Sequence, residues 1–81
     1  MDGQIVRVVW VDPHSVDEWV PIDSPDLDYP HRVETVGRLI KEEDTFIVVS
    51  LNIGLDANSD VSCSIIIPKR CIDKMERLNN E

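Results

Sequence analysis

The sequence predicts a mostly β fold organised around one long, bent antiparallel hairpin, and three observations carry that reading. Val and Ile supply 20 of the 81 residues, against five Leu and a single Ala. Such β-branched side chains suit a pleated, half-buried surface and lose rotamer freedom in a helix. Thr35 to Ile53 then sets two β-rich runs on either side of the charged bend Glu42-Glu43-Asp44. Finally, Gly37 interrupts the first run, where a glycine marks a bulge, a sharp bend or a close backbone approach. A barrel corner accounts for it, because closing a small sheet demands strong local curvature. The 81 residues are expected to form one domain (1–81), near the small end of what an apolar core holds without staples.

Taken in order, Ile5 to Val11 reads as the first strand. Its apolar residues occupy both parities, which predicts cover on much of both faces. Trp10 shares a face with Val6 and Val8, so a core role competes with a ligand-stacking one. Asp12-Pro13 closes the strand, since proline donates nothing to a ladder. Ser15-Val16-Asp17-Glu18 fits a capping box. One or two helical turns would follow before Pro21, with Val16, Trp19 and Val20 on one side as a lid over an open end of the sheet. Residues 21–30, PIDSPDLDYP, form an acidic Pro/Asp-rich loop with Tyr29 as an exposed aromatic.

In the first arm of the hairpin Val33, Thr35, Gly37 and Leu39 share a face. In the second arm Ile47, Val49, Leu51 and Ile53 alternate with Phe46, Val48, Ser50 and Asn52. Val61 to Ile67 begins with Val61, Cys63, Ile65 and Ile67 inward, then turns apolar on both faces. Pro68-Lys69-Arg70 breaks it with a tight helical turn. Cys71 to Leu78 reads as either a short closing strand with a bulge or a terminal helix of two turns. The strand is preferred because it completes the sheet.

Charge narrows the function classes. Sixteen acids face eight bases, a net charge of −8. Asp12, Asp17, Glu18, Asp23, Asp26 and Asp28 all fall between Val8 and His31, where no Lys or Arg occurs. A solvated loop surface explains such a run, and so does a patch that meets a basic partner. Direct binding of duplex DNA is disfavoured, because that affinity rests on Lys and Arg neutralising phosphates. No apolar run approaches the length that spans a bilayer as a helix, and the N-terminus has no secretory pattern. Cys63 and Cys71 are too few for a disulfide framework, which predicts a reduced, cytosolic setting. Spacing among His14, His31, Cys63 and Cys71 matches no metal pattern, so no metal or cofactor is expected.

Catalysis is not expected either. Asp12, His14, Ser15 and Asp17 hold the letters of a triad, but a triad must converge in space and these are neighbours on one loop. The isolated Gly3, Gly37 and Gly54 make no phosphate loop.

The run VGRLIKEEDTFIVV, a further strand, and then IIIPKRCIDKMERL is similar to the Sm-like family of small barrels. That resemblance, over residues 33 to 78, implies a strongly bent five-stranded antiparallel barrel that assembles through its edge strands. The short helical turn expected after the first strand adds to that picture. No RNA-contact motif of the family is matched, and the acidic surface argues against carrying RNA binding over. The whole chain also resembles small phage- and prophage-encoded proteins, through VVWVDPHSVDEW and IPKRCI. This likeness implies a viral origin, and a stoichiometric inhibitor of host defence as one role.

These observations converge on a non-enzymatic, phage-derived binding protein that acts by occupancy. A specific form is a counter-defence homo-oligomer sequestering a nucleotide signal between subunits. Trp10, Trp19 or Tyr29 would stack on the base, and Arg38, Lys69 or Arg70 would meet phosphate. The alternatives are an acidic mimic docking Asp12, Asp17, Glu18, Asp23, Asp26 and Asp28 on a basic nucleic-acid-binding host protein, or a virion assembly adaptor.

Overall fold

The computed structural model describes residues 4–13, 17–28, 30–56 and 60–78. Five strands follow one another: β1 (Ile5–Asp12), β2 (His31–Glu42), β3 (Phe46–Ile53), β4 (Val61–Pro68) and β5 (Ile72–Arg77). They hydrogen-bond in the order β4-β3-β2-β1-β5, with every pairing antiparallel. The predicted hairpin is present as β2 and β3, its turn fastened by the Glu43 N–H donating to Phe46 O at 2.9 Å. The alternative left open for the last segment resolves as strand, following a 3-10 turn at Lys69–Cys71.

β2 holds the sheet together by changing partners along its length. His31 to Arg38 pairs with β1, and Arg38 to Glu42 pairs with β3, with a register shift between Leu39 and Lys41. Gly37 lies at that exchange. A Cβ at position 37 would stand 2.7 Å from the Ser50 carbonyl oxygen and 2.8 Å from Val49 Cγ1. The glycine therefore permits a close approach of β3 to β2, one of the uses a strand glycine can have.

The barrel expectation does not survive. β4 and β5 are the two edges of an open sheet that is not strongly curled, and no ladder joins them among the described residues. The physical reason is that β5, on leaving the Lys69–Cys71 turn, adds to the outer side of β1 and does not return to β4. Gly37 marked a contact between neighbouring strands and was misread as a corner. The Sm-like resemblance falls with the barrel.

One face of the sheet carries the core. Val6, Val8, Trp10, Ile47, Val49 and Ile67 are buried together, with Val33, Leu39, Ile65, Cys71, Ile72 and Met75 packed against them. Trp10 is 7% exposed, and its Nε1–H donates to Thr35 Oγ1 at 2.9 Å, so the indole is buried with its polar group satisfied. Val9, on the opposite face of β1, is also buried, as the mixed parity of that strand predicted. β4 is more open than its alternation suggested. Val61 and Cys63 are exposed, because only the Ile65–Ile67 end packs against the core, and Cys63 takes a left-handed φ of 56°.

The segment between β1 and β2 also departs from expectation. Residues 14–16, including the capping Ser15, lie outside the described residues. Asp17 to Val20 is not helical, and Trp19 is fully exposed, so it forms no lid over the sheet. The helical turn after β1 is instead a 3-10 turn at Pro25–Leu27. Its cap is Ser24, whose Oγ accepts the Asp26 N–H at 3.2 Å.

Replacing Gly37 with Val should lower unfolding stability by about 1–3 kcal/mol, the usual range for forcing atoms into a packed site. Urea denaturation would show it as a lower midpoint at unchanged slope. A midpoint equal to that of the wild type would mean that β3 does not approach Gly37 as described.

Candidate functional site

Two connections meet at one end of the sheet. The β2–β3 turn brings Asp44, Thr45 and Phe46; the end of β4 and the turn after it bring Ile66, Pro68, Lys69 and Arg70. Phe46 is in register with Pro68 and Val48 with Ile66. In an antiparallel pair, residues directly opposite share a face. Phe46, Val48, Ile66 and Pro68 therefore form an apolar strip on the side of the sheet away from the core. The Lys69 N–H donates to Thr45 O at 2.8 Å and holds the two connections together. The result is a concavity of about 560 Å³ with an apolar floor and a cationic rim, within the size range of small-molecule sites.

Its cations differ in how far they are engaged. Lys69 Nζ lies 3.8 Å from Glu42 Oε2, and the same carboxylate accepts Arg77 Nη2 at 3.3 Å. Arg70 is exposed and forms no salt bridge among the described residues. Among the described residues Asp44 is the one carboxylate in the lining, beside the two cations Lys69 and Arg70.

A second concavity, about 340 Å³, opens where β2 and β3 have separated, lined by Val36, Val49, Leu51, Cys63 and Ile65 with Glu34 and Thr35. It offers apolar surface and a negative charge but no cation. A third, about 280 Å³, includes Arg7, Arg32 and Lys74. There Arg7 bonds Glu34 and, at 2.7 Å, Glu76, while Arg32 bonds Asp73 at 3.1 Å. The arginines of this third group are already matched by acids of the same sheet.

That matching shifts titration. The hydrogen bond from Arg7, followed by the charges of Lys74 and Arg7, holds the Glu76 carboxyl below its ordinary value. The hydrogen bonds to Glu34 and Glu76 raise Arg7.

Of the six residues proposed from sequence to hold a ligand, the structure brings two together, Lys69 and Arg70. Trp10 is in the core, Trp19 is exposed on the segment before β2, and Arg38 is half-buried at the exchange between strands. Tyr29 lies outside the described residues. Phe46, Ile66 and Pro68 were missed, although the sequence held a signal for them. IIIP is apolar on both parities, and Phe46 and Val48 alternate away from the core face.

Among the acids, Asp17, Glu18, Asp23, Asp26 and Asp28 are exposed and Asp12 is half-buried. His14 and Ser15 of the triad-like group lie outside the described residues. Among the described residues no three or more His, Cys, Asp or Glu stand close enough to hold a metal ion, and Cys63 and Cys71 are free thiols. No described helix is long and apolar enough to cross a membrane.

Comparison of the chain with protein-family models, with curated proteins and with solved structures gives no match. The expected kinship with phage-encoded proteins thus has no support, and viral origin drops out of the functional argument.

Glu76 gives a pH prediction. Because its folded-state pKa is depressed, its contribution to stability is complete above the ordinary glutamate value and is lost as pH falls through the folded one. NMR titration of the Glu76 side chain should show the low value in the wild type and a rise toward normal in Arg7→Met. Identical titration curves for the two proteins would rule out the Arg7 bond as the cause.

Proposed function

We propose that this protein is a non-enzymatic binding protein that acts by occupancy. Its ligand is a small anion carrying a flat apolar group, of the nucleotide class, held in the concavity at the β2–β3 and β4–β5 turns. The observation that carries this reading is the convergence of Arg70, outside every salt bridge among the described residues, with an apolar floor of Phe46, Ile66 and Pro68. The floor would receive the ring system and Arg70 the phosphate, with Lys69 released from Glu42 as a second donor. Guanidinium suits that task because its planar fork matches phosphate oxygens in pairs. The third concavity is a poorer host, since its arginines are already bonded to carboxylates.

β4, which contributes Ile66 and Pro68 to the concavity, is an edge strand of the sheet among the described residues. A second copy docked against that edge would stand next to the concavity, so the ligand would be held between subunits. Free Cys63 and Cys71 suit a reduced, cytosolic environment for this role.

Calorimetry against a panel of linear and cyclic nucleotides should find a binder. Arg70→Ala should weaken it about 10-fold or more, the usual cost of losing a hydrogen bond to a charged group. Phe46→Leu should weaken it less, and added salt should weaken it progressively. Absence of heat across the panel at high protein concentration would eliminate this reading.

A further inference from the structure

We propose that the concavity at the β2–β3 and β4–β5 turns also receives the Asp17-Glu18-Trp19 stretch of a second copy of this chain. Nucleotide and protein segment would then displace one another, so self-association would regulate the site. The contact itself needs only the concavity; its consequence for a nucleotide rests on the function proposed above. It is separate from a contact along the β4 edge, which leaves the concavity to the ligand.

Both halves of the contact are carried by the same chain. One is the floor of Phe46, Ile66 and Pro68, with Lys69 and Arg70 at its rim. Ile66 is largely exposed there, and Arg70 forms no salt bridge among the described residues. The other half is Trp19, at 103% exposure, with Asp17 and Glu18 directly before it. Because these three residues are consecutive, the acids stay close to the indole whatever path the segment takes. Both acids are exposed, and neither enters a salt bridge among the described residues. With its own indole wholly in water, the chain does not fill its own concavity. An indole seated there comes from another copy.

Size and charge both favour that occupant. An indole is a flat double ring, and a concavity of about 560 Å³ lies in the range that holds molecules larger than it. Seating it on the floor removes apolar surface from water on both copies, and tryptophan is a common interface anchor. Arg70 can hold a carboxylate through both arms of its guanidinium. The net charge of −8 opposes association in general. Here, however, two carboxylates meet two cations, which fixes the orientation. Residues 17–20 belong to no helix or strand, so docking breaks no ladder. Each copy offers one segment and one concavity, and a reciprocal exchange closes as a two-fold pair.

Analytical ultracentrifugation of the full chain, without nucleotide, tests the proposal. The wild type should pass from monomer to dimer as its concentration rises into the millimolar range. Trp19→Ala and Arg70→Glu should each weaken the dimer about 30-fold. Asp17→Lys with Glu18→Lys should weaken it as well, although this pair lowers the net negative charge and would strengthen an association limited by general repulsion. Adding Arg70→Glu to the lysine pair should restore the dimer. All the substituted side chains are exposed, and circular dichroism verifies that the fold is kept. A wild type that stays monomeric overturns the proposal, as does a Trp19→Ala or Arg70→Glu variant that dimerises as tightly as the wild type. So does a lysine pair that dimerises more tightly, or a charge exchange that restores nothing. A monomeric wild type leaves the nucleotide reading standing, and a nucleotide panel without heat leaves this dimer standing.

Discussion

The close approach at Gly37 is the constraint on which the rest of the molecule depends. Among the described residues, β2 is the strand that joins the two parts of the sheet. It can do so because its backbone meets β3 where a side chain would strike the Ser50 carbonyl. Arg38, the next residue, pairs with Ile5 on one side and Ser50 on the other. The buried cluster draws Val6, Val8 and Trp10 from β1 and Ile47, Val49 and Ile67 from β3 and β4. These two sets meet only if β2 holds both ladders at once. A core this small has little excess stability, so one displaced strand would be felt throughout.

The same geometry decides where charge is spent. On the β2-β1-β5 side, acids and bases face one another across strands: Glu34 with Arg7, Arg7 with Glu76, and Asp73 with Arg32. Exposed pairs of this kind contribute little stability each. Their larger consequence is to leave those arginines engaged, so that the surface there is polar but matched. Across the exchange, β4 carries no charged residue at all. The cations that follow it stand beside apolar side chains: Lys69 lies 3.8 Å from Glu42, and Arg70 forms no salt bridge among the described residues. Among the described residues, Arg70 is thus a guanidinium that no salt bridge answers, set beside an apolar surface.

Much of the fold was legible because strands declare themselves by alternation. Residues of β1, the two arms of the hairpin, β4 and the tight turn after it could be read within a residue or two. The last segment could not be settled, since Ile72, Met75 and Leu78 suit a helix as well as a bulged strand. Closure was misread for a different reason. A glycine within a strand reports a steric need without saying whether a bend or a neighbour creates it, and only the position of Ser50 distinguishes them. Trp19 was misread because Trp19 and Val20 follow Val16 at the helical spacings of three and four. Pro21 and Pro25 instead impose an extended, turn-rich path. Of the candidate site, Lys69 and Arg70 could be found as the basic pair after a strand. Their apolar companions depend on β3–β4 register, which aligns Phe46 with Pro68 and which no local pattern encodes.

The exposed residues follow from that architecture. An open five-stranded sheet has one face that its own side chains bury well, and among the described residues no second layer covers the other. Apolar side chains on the uncovered face must then be sparse, matched with polar neighbours, or used. On the β2-β1-β5 part they are matched, as Arg7 and Glu34 around Val9 show. At Phe46, Ile66 and Pro68 they are not, and Ile66 remains 66% exposed. Trp19 and Ile22 are likewise uncovered, on the segment between β1 and β2. Nothing in the stability of the sheet requires either group to be apolar, because neither belongs to the buried cluster. Folding leaves these side chains in water at a cost that covering them would remove.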